Sequence, residues 1–127
     1  MDMGKIIYDR LTGNAGVAAL VATRVYPDEA PDDADLPLVV YGVQLSDQND
    51  GTAPMKECTI TAHGWAASDS TAQSLAEALH AALEGYNGQA DTTALRCLTL
   101  TAYDEERSFE MNVWGRLLTY SGLVVLG

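Results

Sequence analysis

The stretch SDSTAQSLAEALHAALEGY, residues 68–86, constrains the fold more than any other part of this chain. Ala72, Leu75, Ala76, Leu79, Ala82, Leu83 and Tyr86 recur at helical spacing and form one stripe, with Glu77, His80 and Glu84 off it. Ser70 and Gln73 have capping-box spacing at its start, and Gly85 or Gly88 marks its end. A stripe this rich in alanine lets a helix sit close against a sheet. Strand-like segments stand on both sides of it, so the pattern predicts a helix laid on a sheet.

Before it, Met3, Ile6, Ile7 and Leu11 have helical spacing, and Thr12-Gly13-Asn14 breaks that helix. Asn14 can cap a second, short helix in which Val17, Leu20 and Val21 share a face, although Gly16 weakens it. Arg24-Val25-Tyr26 reads as a short extended piece. Leu36 to Leu45 is a strand with Leu38 and Val40 on one face and Val39, Tyr41 and Val43 on the other, as suits a strand at least partly covered on both faces. Residues 46–56 form a long polar hairpin loop centred on Asp50-Gly51. On the returning strand, Lys56 to Ala66, Cys58, Ile60 and Ala62 point one way and Thr59, Thr61, His63 and Trp65 the other.

After the long helix, Gln89 to Ala94 is a polar link. Leu95–Tyr103 and Ser108–Tyr120 then form a hairpin that turns at Asp104–Arg107. Phe109, Met111, Val113 and Leu117 share one parity; Trp114, Leu118 and Tyr120 share the other. The expected fold is one domain over residues 1–127, of class α+β. It has a mainly antiparallel sheet of about four to five strands, with the long helix and one or two N-terminal helices on one face. The other face carries Thr, Trp and Tyr residues and is half wet in a monomer.

Charge narrows the function. Seven basic against eighteen acidic residues leave a net −11. Such a surface repels phosphate and anionic lipid, which argues against tight nucleic-acid binding and against membrane docking. It does not exclude a role in which DNA passes by without sticking. With no signal-peptide pattern, the chain is expected to be made and kept in a cytoplasm. Cys58 and Cys97 fall in strands and read as buried, reduced side chains.

No catalytic constellation, cofactor motif or metal-ligand spacing stands out. His63 lies on a strand and His80 on the charged side of a helix, with no nucleophile or phosphate loop in the pattern around either. The acids are densest in PDEAPDDADLP, residues 27–37, where Asp28, Glu29, Asp32, Asp33 and Asp35 precede the most apolar run. Pro27, Pro31 and Pro37 keep that segment extended and irregular. It is open between a solvated connection, a surface aimed at a partner, and a calcium loop. Its acids lack the alternating order of an EF-hand.

The ordered segments IYDRLTGNAGVAALVATRVYP, LPLVVYGV, CTITAHGWAASDSTAQSLAEALHAALEGY and a closing hairpin bearing YDEER resemble the tail completion, or tail terminator, proteins of long-tailed phages and prophages. The resemblance runs over nearly the whole chain. It rests on segment order and on the anchors Tyr26-Pro27, Leu36-Pro37 and Trp65 with the helix after it. SGLVVLG continues past the point where the last strand of the family is expected to stop.

The resemblance implies a non-enzymatic assembly protein of the virion. It would form a ring, commonly hexameric, at the head-proximal end of the tail tube. It would stop tube polymerisation, meet the major tail tube protein and the head connector or neck protein, and let DNA pass through its hole. Candidate contacts are the loop residues Ser46, Asp47, Gln48, Asn49, Asp50, Gly51 and Thr52, and an open sheet face bearing Trp65 and Trp114. A head-completion protein on the capsid side, or a small acidic calcium- or ligand-binding module, are the alternatives.

Overall fold

A computed structural model describes residues 3–31, 34–46, 55–90 and 93–126. Its elements are α1 (Met3–Gly13), α2 (Ala15–Val21), β1 (Val25–Pro27), β2 (Leu38–Ser46), β3 (Met55–Ala66), α3 (Asp69–Leu83), β4 (Gly88–Ala90), β5 (Thr93–Ser108) and β6 (Val113–Leu126). The class is α+β, as expected.

The strands form a six-stranded sheet in the order β1-β2-β3-β6-β5-β4. That exceeds the expected four to five. β4 is the strand the sequence hid: three residues, Gly-Gln-Ala, without apolar alternation, paired antiparallel with β5. The pairings β2–β3, β3–β6, β5–β6 and β4–β5 are antiparallel, but β1 runs parallel to β2. The sheet is therefore mixed, with the acidic segment serving as the crossover between its parallel strands.

α1 touches β1 and β2 at one edge of the sheet and β4 and β5 at the other, so the sheet curls around its helices. One core fills the inside. Ile6, Ile7, Leu11, Val17 and Val21 of the first two helices meet Leu75, Leu79 and Leu83 of α3, over Val39, Ile60, Leu118, Tyr120 and Val124 of the sheet. Asn14 caps α2 as expected, accepting from the Val17 N–H. The cap of α3 is Ser68, which accepts from the Thr71 N–H, so the capping spacing at Ser70 was two residues late. Gly85, at φ +71, ends α3 in a conformation that favours glycine. Arg10 ties α1 to the end of α3, donating to the Ala82 carbonyl at 2.7 Å and lying 4.4 Å over the Tyr86 ring.

The hairpin of β5 and β6 departs most from expectation. Asp104, Glu105, Glu106 and Arg107 do not turn; they continue β5, and the turn falls at 109–112 with Asn112 at φ +54. Cross-strand partners make charged strand residues tolerable here. Glu105 pairs with Arg116, and the Arg107 guanidinium lies 4.0 Å over Trp114. Phe109 and Met111, expected within a strand, sit at the turn with 81% and 74% of their surface exposed. The register shift in β5 between Arg96 and Thr99 explains why Leu95 and Leu98 are both buried despite opposite parity; a second falls between Leu100 and Ala102. Ser121–Leu126 of the terminal SGLVVLG is simply more β6, paired with β3 and β5 and burying Val124.

Cys58 is a buried free thiol whose pKa burial pushes up. The Cys97 side chain lies outside the described residues. On the helix side of β6, Arg116 is buried beside the start of α3, where Asp69 accepts from its Nη2 and Glu105 stands 3.5 Å from its Nε. Desolvation alone would lower its pKa. The hydrogen bond to Asp69 and the charges of Glu105 and Asp69 outweigh that and hold it above the ordinary value. Deeper in, the Tyr120 hydroxyl bonds His80 Nδ1 at 2.8 Å, and burial raises the phenol pKa, so it stays protonated.

Candidate assembly surface

The sheet face away from the helices is built by residue alternation. β2 contributes Leu38 and Val40, β3 Thr59, Thr61, His63 and Trp65, and β6 Val113, Leu117 and Thr119. Trp65 lies flat across Gly115, where a Cβ would come within 2.7 Å of its ring, so the close approach requires glycine at 115. His63 stacks on Trp65 with ring centroids 4.2 Å apart.

At one end of this face is an apolar groove of about 660 Å³. Leu38, Val40, Trp65 and Val113 form its floor, and Ser108 and Met111 of the hairpin form one wall. The other wall is the acidic segment itself, through Ala30, Pro31, Ala34 and Leu36. The alternation of acids with small apolar residues in DEAPDDADL thus has a structural meaning. Its apolar members turn to the groove, while Asp28, Glu29 and Asp35 are exposed. That alternation was visible in the sequence but could not be assigned to a surface, because nothing local says what the segment lies against. In the sequence, the groove's other members Leu38, Val40, Met111 and Val113 carry only a strand pattern.

The Asp28 N–H donates to the Tyr41 carbonyl at 2.8 Å with φ +62, which fixes where the segment leaves the sheet. Asp32 and Asp33 lie outside the described residues, as do Asp47, Gln48, Asn49, Asp50, Gly51 and Thr52 of the long loop; Ser46 closes β2. The structure separates the two tryptophans. Trp65 pairs with Gly115 and Trp114 with Ala66, adjacent positions in register, so their side chains leave opposite faces of the sheet. The expectation that they share the open face is corrected: Trp114 lies on the helix side, under Arg107. Among the described residues, no three His, Cys, Asp or Glu side chains converge as metal ligands would.

His63 Nε2 stands 3.5 Å from a Glu106 carboxylate oxygen and makes no hydrogen bond. Desolvation lowers its pKa and outweighs the attraction of Glu106. The unfolded chain therefore takes up this proton at a higher pH than the folded one. The stabilisation is complete above the ordinary imidazole value of about 6.5 and is lost as pH falls through the lower folded value. Thermal melts from pH 7.5 down to 5 should show a smaller acid-induced fall in His63→Gln than in the unmodified chain. Parallel curves would mean that the imidazole stays solvated.

Residues 5–123 match the family described as Tail completion protein gp17, and the chain belongs to that family. The family is one of structural proteins of phage tail assembly, and membership implies association with other virion components. Among solved structures, the fold is similar to that of a chain in the virion of a native gene transfer agent particle. The TM-score is 0.83 at 23% identity, over 97% of this chain and 94% of that one. No curated protein matches the chain.

Proposed function

We propose that this chain is a tail terminator: a ring-forming protein that sits at the head-proximal end of the tail tube, stops its polymerisation and joins tail to head. The observation that carries the reading is the tail completion match across residues 5–123. The likeness to a chain of a phage-like virion supports a place in the particle's tail.

A closed ring of identical subunits uses two different patches on each subunit. The separation of features here suits that need. β2 ends at Ser46 and β3 begins at Met55 at one end of the long strands, and the Arg107–Trp114 side of the hairpin lies at the other. The Trp65 groove is then free to meet the tube or the head connector. DNA would pass without being gripped, since the net charge of −11 repels it.

A hexamer would gather roughly −66 charges, so assembly is expected to strengthen with moderate salt, which screens beyond about 10 Å at 0.1 M. Native mass spectrometry and light scattering across salt and protein concentration check this. A monomer under every condition, with or without tail tubes added, would sink the ring. Electron microscopy of tails made without the protein separates the two assembly readings. Overlong tubes are expected; tails of normal length that fail to join heads would make it a head-completion protein instead.

A further inference from the structure

We propose that the groove between the acidic segment and the β5–β6 turn seats a short apolar segment flanked by lysines or arginines, presented by a different virion protein. The inference rests on the assembly role but not on the ring. The groove falls within the size range of sites that enclose a ligand, at about 660 Å³. Its floor is apolar, and its two walls leave Leu36 and Met111 exposed. Beside Met111, Phe109 is 81% exposed, so the apolar surface runs out of the groove onto the hairpin turn. Exposed apolar surface continuous with a groove marks contact with another molecule.

The charge around it decides which molecule. Glu29 and Asp35 adjoin the groove residues of one wall, Glu110 adjoins Met111 on the other, and all three are exposed. Glu106 stands against His63, which stacks on Trp65. The nearby guanidiniums are committed within the chain. Arg107 lies over Trp114 and Phe109 and donates to Asn112, and Arg24 donates to the Pro37 and Leu20 carbonyls. An apolar floor with a negative rim selects an apolar segment with positive flanks.

A second copy of this chain is a poor occupant. It brings a further −11, and the exposed apolar residues of its own turn bracket Glu110. Its Lys5–Arg10 segment does place two cations around an apolar pair, but Ile6 and Ile7 are buried in the core. The occupant must therefore come from a differently charged chain.

The test uses the full chain and a fluorescein-labelled peptide in which a leucine-phenylalanine-leucine core is flanked by two lysines on each side. Anisotropy should show saturable binding that weakens with salt. The same core with glutamate flanks should bind at least about tenfold more weakly. The double variant Leu36→Ser, Met111→Ser changes no core residue. It should keep the thermal midpoint and lose about tenfold in affinity for the lysine peptide. The triple variant Glu29→Gln, Asp35→Asn, Glu110→Gln should weaken binding and flatten its salt dependence.

Equal binding by the double variant would reduce the attraction to diffuse charge and overturn the proposal. So would equal binding of the glutamate peptide, no saturable binding up to millimolar peptide, or self-association that the double variant abolishes. Peptide binding in a chain whose absence leaves tails normal would instead refute the assembly role and leave the groove standing.

Discussion

Replacing Gly64 with valine is expected to lower the thermal midpoint by about 10 °C, a loss of roughly 3 kcal/mol. Gly64 lies on β3 against Leu75 and Leu79 of α3. A Cβ there would stand 2.7 Å from Leu75 Cδ2, 3.0 Å from its Cγ and 3.4 Å from Leu79 Cδ1. Both leucines are fully buried, so neither can swing into solvent to make room. The helix must lift or the strand must bend, and either opens the packing of a core that all three helices share. Gly4→Ala is the control. Nothing lies within 4 Å of that position, and the substitution should leave the midpoint unchanged or raise it slightly. An unaltered melt for Gly64→Val would mean that α3 does not seat on β3 as described.

The second large effect is expected at the buried guanidinium. Arg116 has only 5% of its side chain exposed, and it lies near the N-terminus of α3, where the helix dipole disfavours a cation. Asp69 and Glu105 compensate it from the solvent side, themselves 68% and 59% exposed. Asp69→Asn together with Glu105→Gln keeps the shapes and removes both charges. The stranded cation should cost about 3 kcal/mol. Either single change should cost much less than half of that, because the remaining carboxylate still faces the guanidinium. Adding Arg116→Met to the double variant should recover part of the loss, since the uncompensated charge is gone. Denaturant titration of the five chains measures the coupling. Strictly additive single effects would mean that the two carboxylates act independently of the cation.

Both results depend on register, and register is where reading the sequence stops working. The apolar stripe of α3, the break and cap at Asn14, and the alternation of Cys58, Ile60 and Ala62 were all legible, because each depends on neighbours within a few residues. The hairpin turn was misplaced because DEER looks like a turn in isolation. It is held extended by regular pairing with β6, which sets Arg116 opposite Glu105 and Trp114 opposite Arg107. β4 escapes a local reading for a related reason: Gly88-Gln89-Ala90 has no apolar alternation, and only its pairing with β5 makes it a strand. The same limit applied to the candidate surface. Trp65 was rightly set on the face opposite Ile60, but Trp114 was set beside it. One position of register against β3 decides between two faces.

The α+β class, the long helix, the strands β2 and β3, and the acidity that bears on any partner are legible in the chain alone. These follow from composition and from periods of 2 and 3.6 residues, which are written along the chain. Tertiary packing alone sets Ala30, Pro31, Ala34 and Leu36 of the acidic segment against the groove and leaves Asp28, Glu29 and Asp35 exposed. The same holds for the groove that segment walls with Trp65 and Met111, and for the faces on which the two tryptophans lie. Those facts depend on which distant strands pair and in what register, and long-range pairing leaves no periodic trace in the segments it joins.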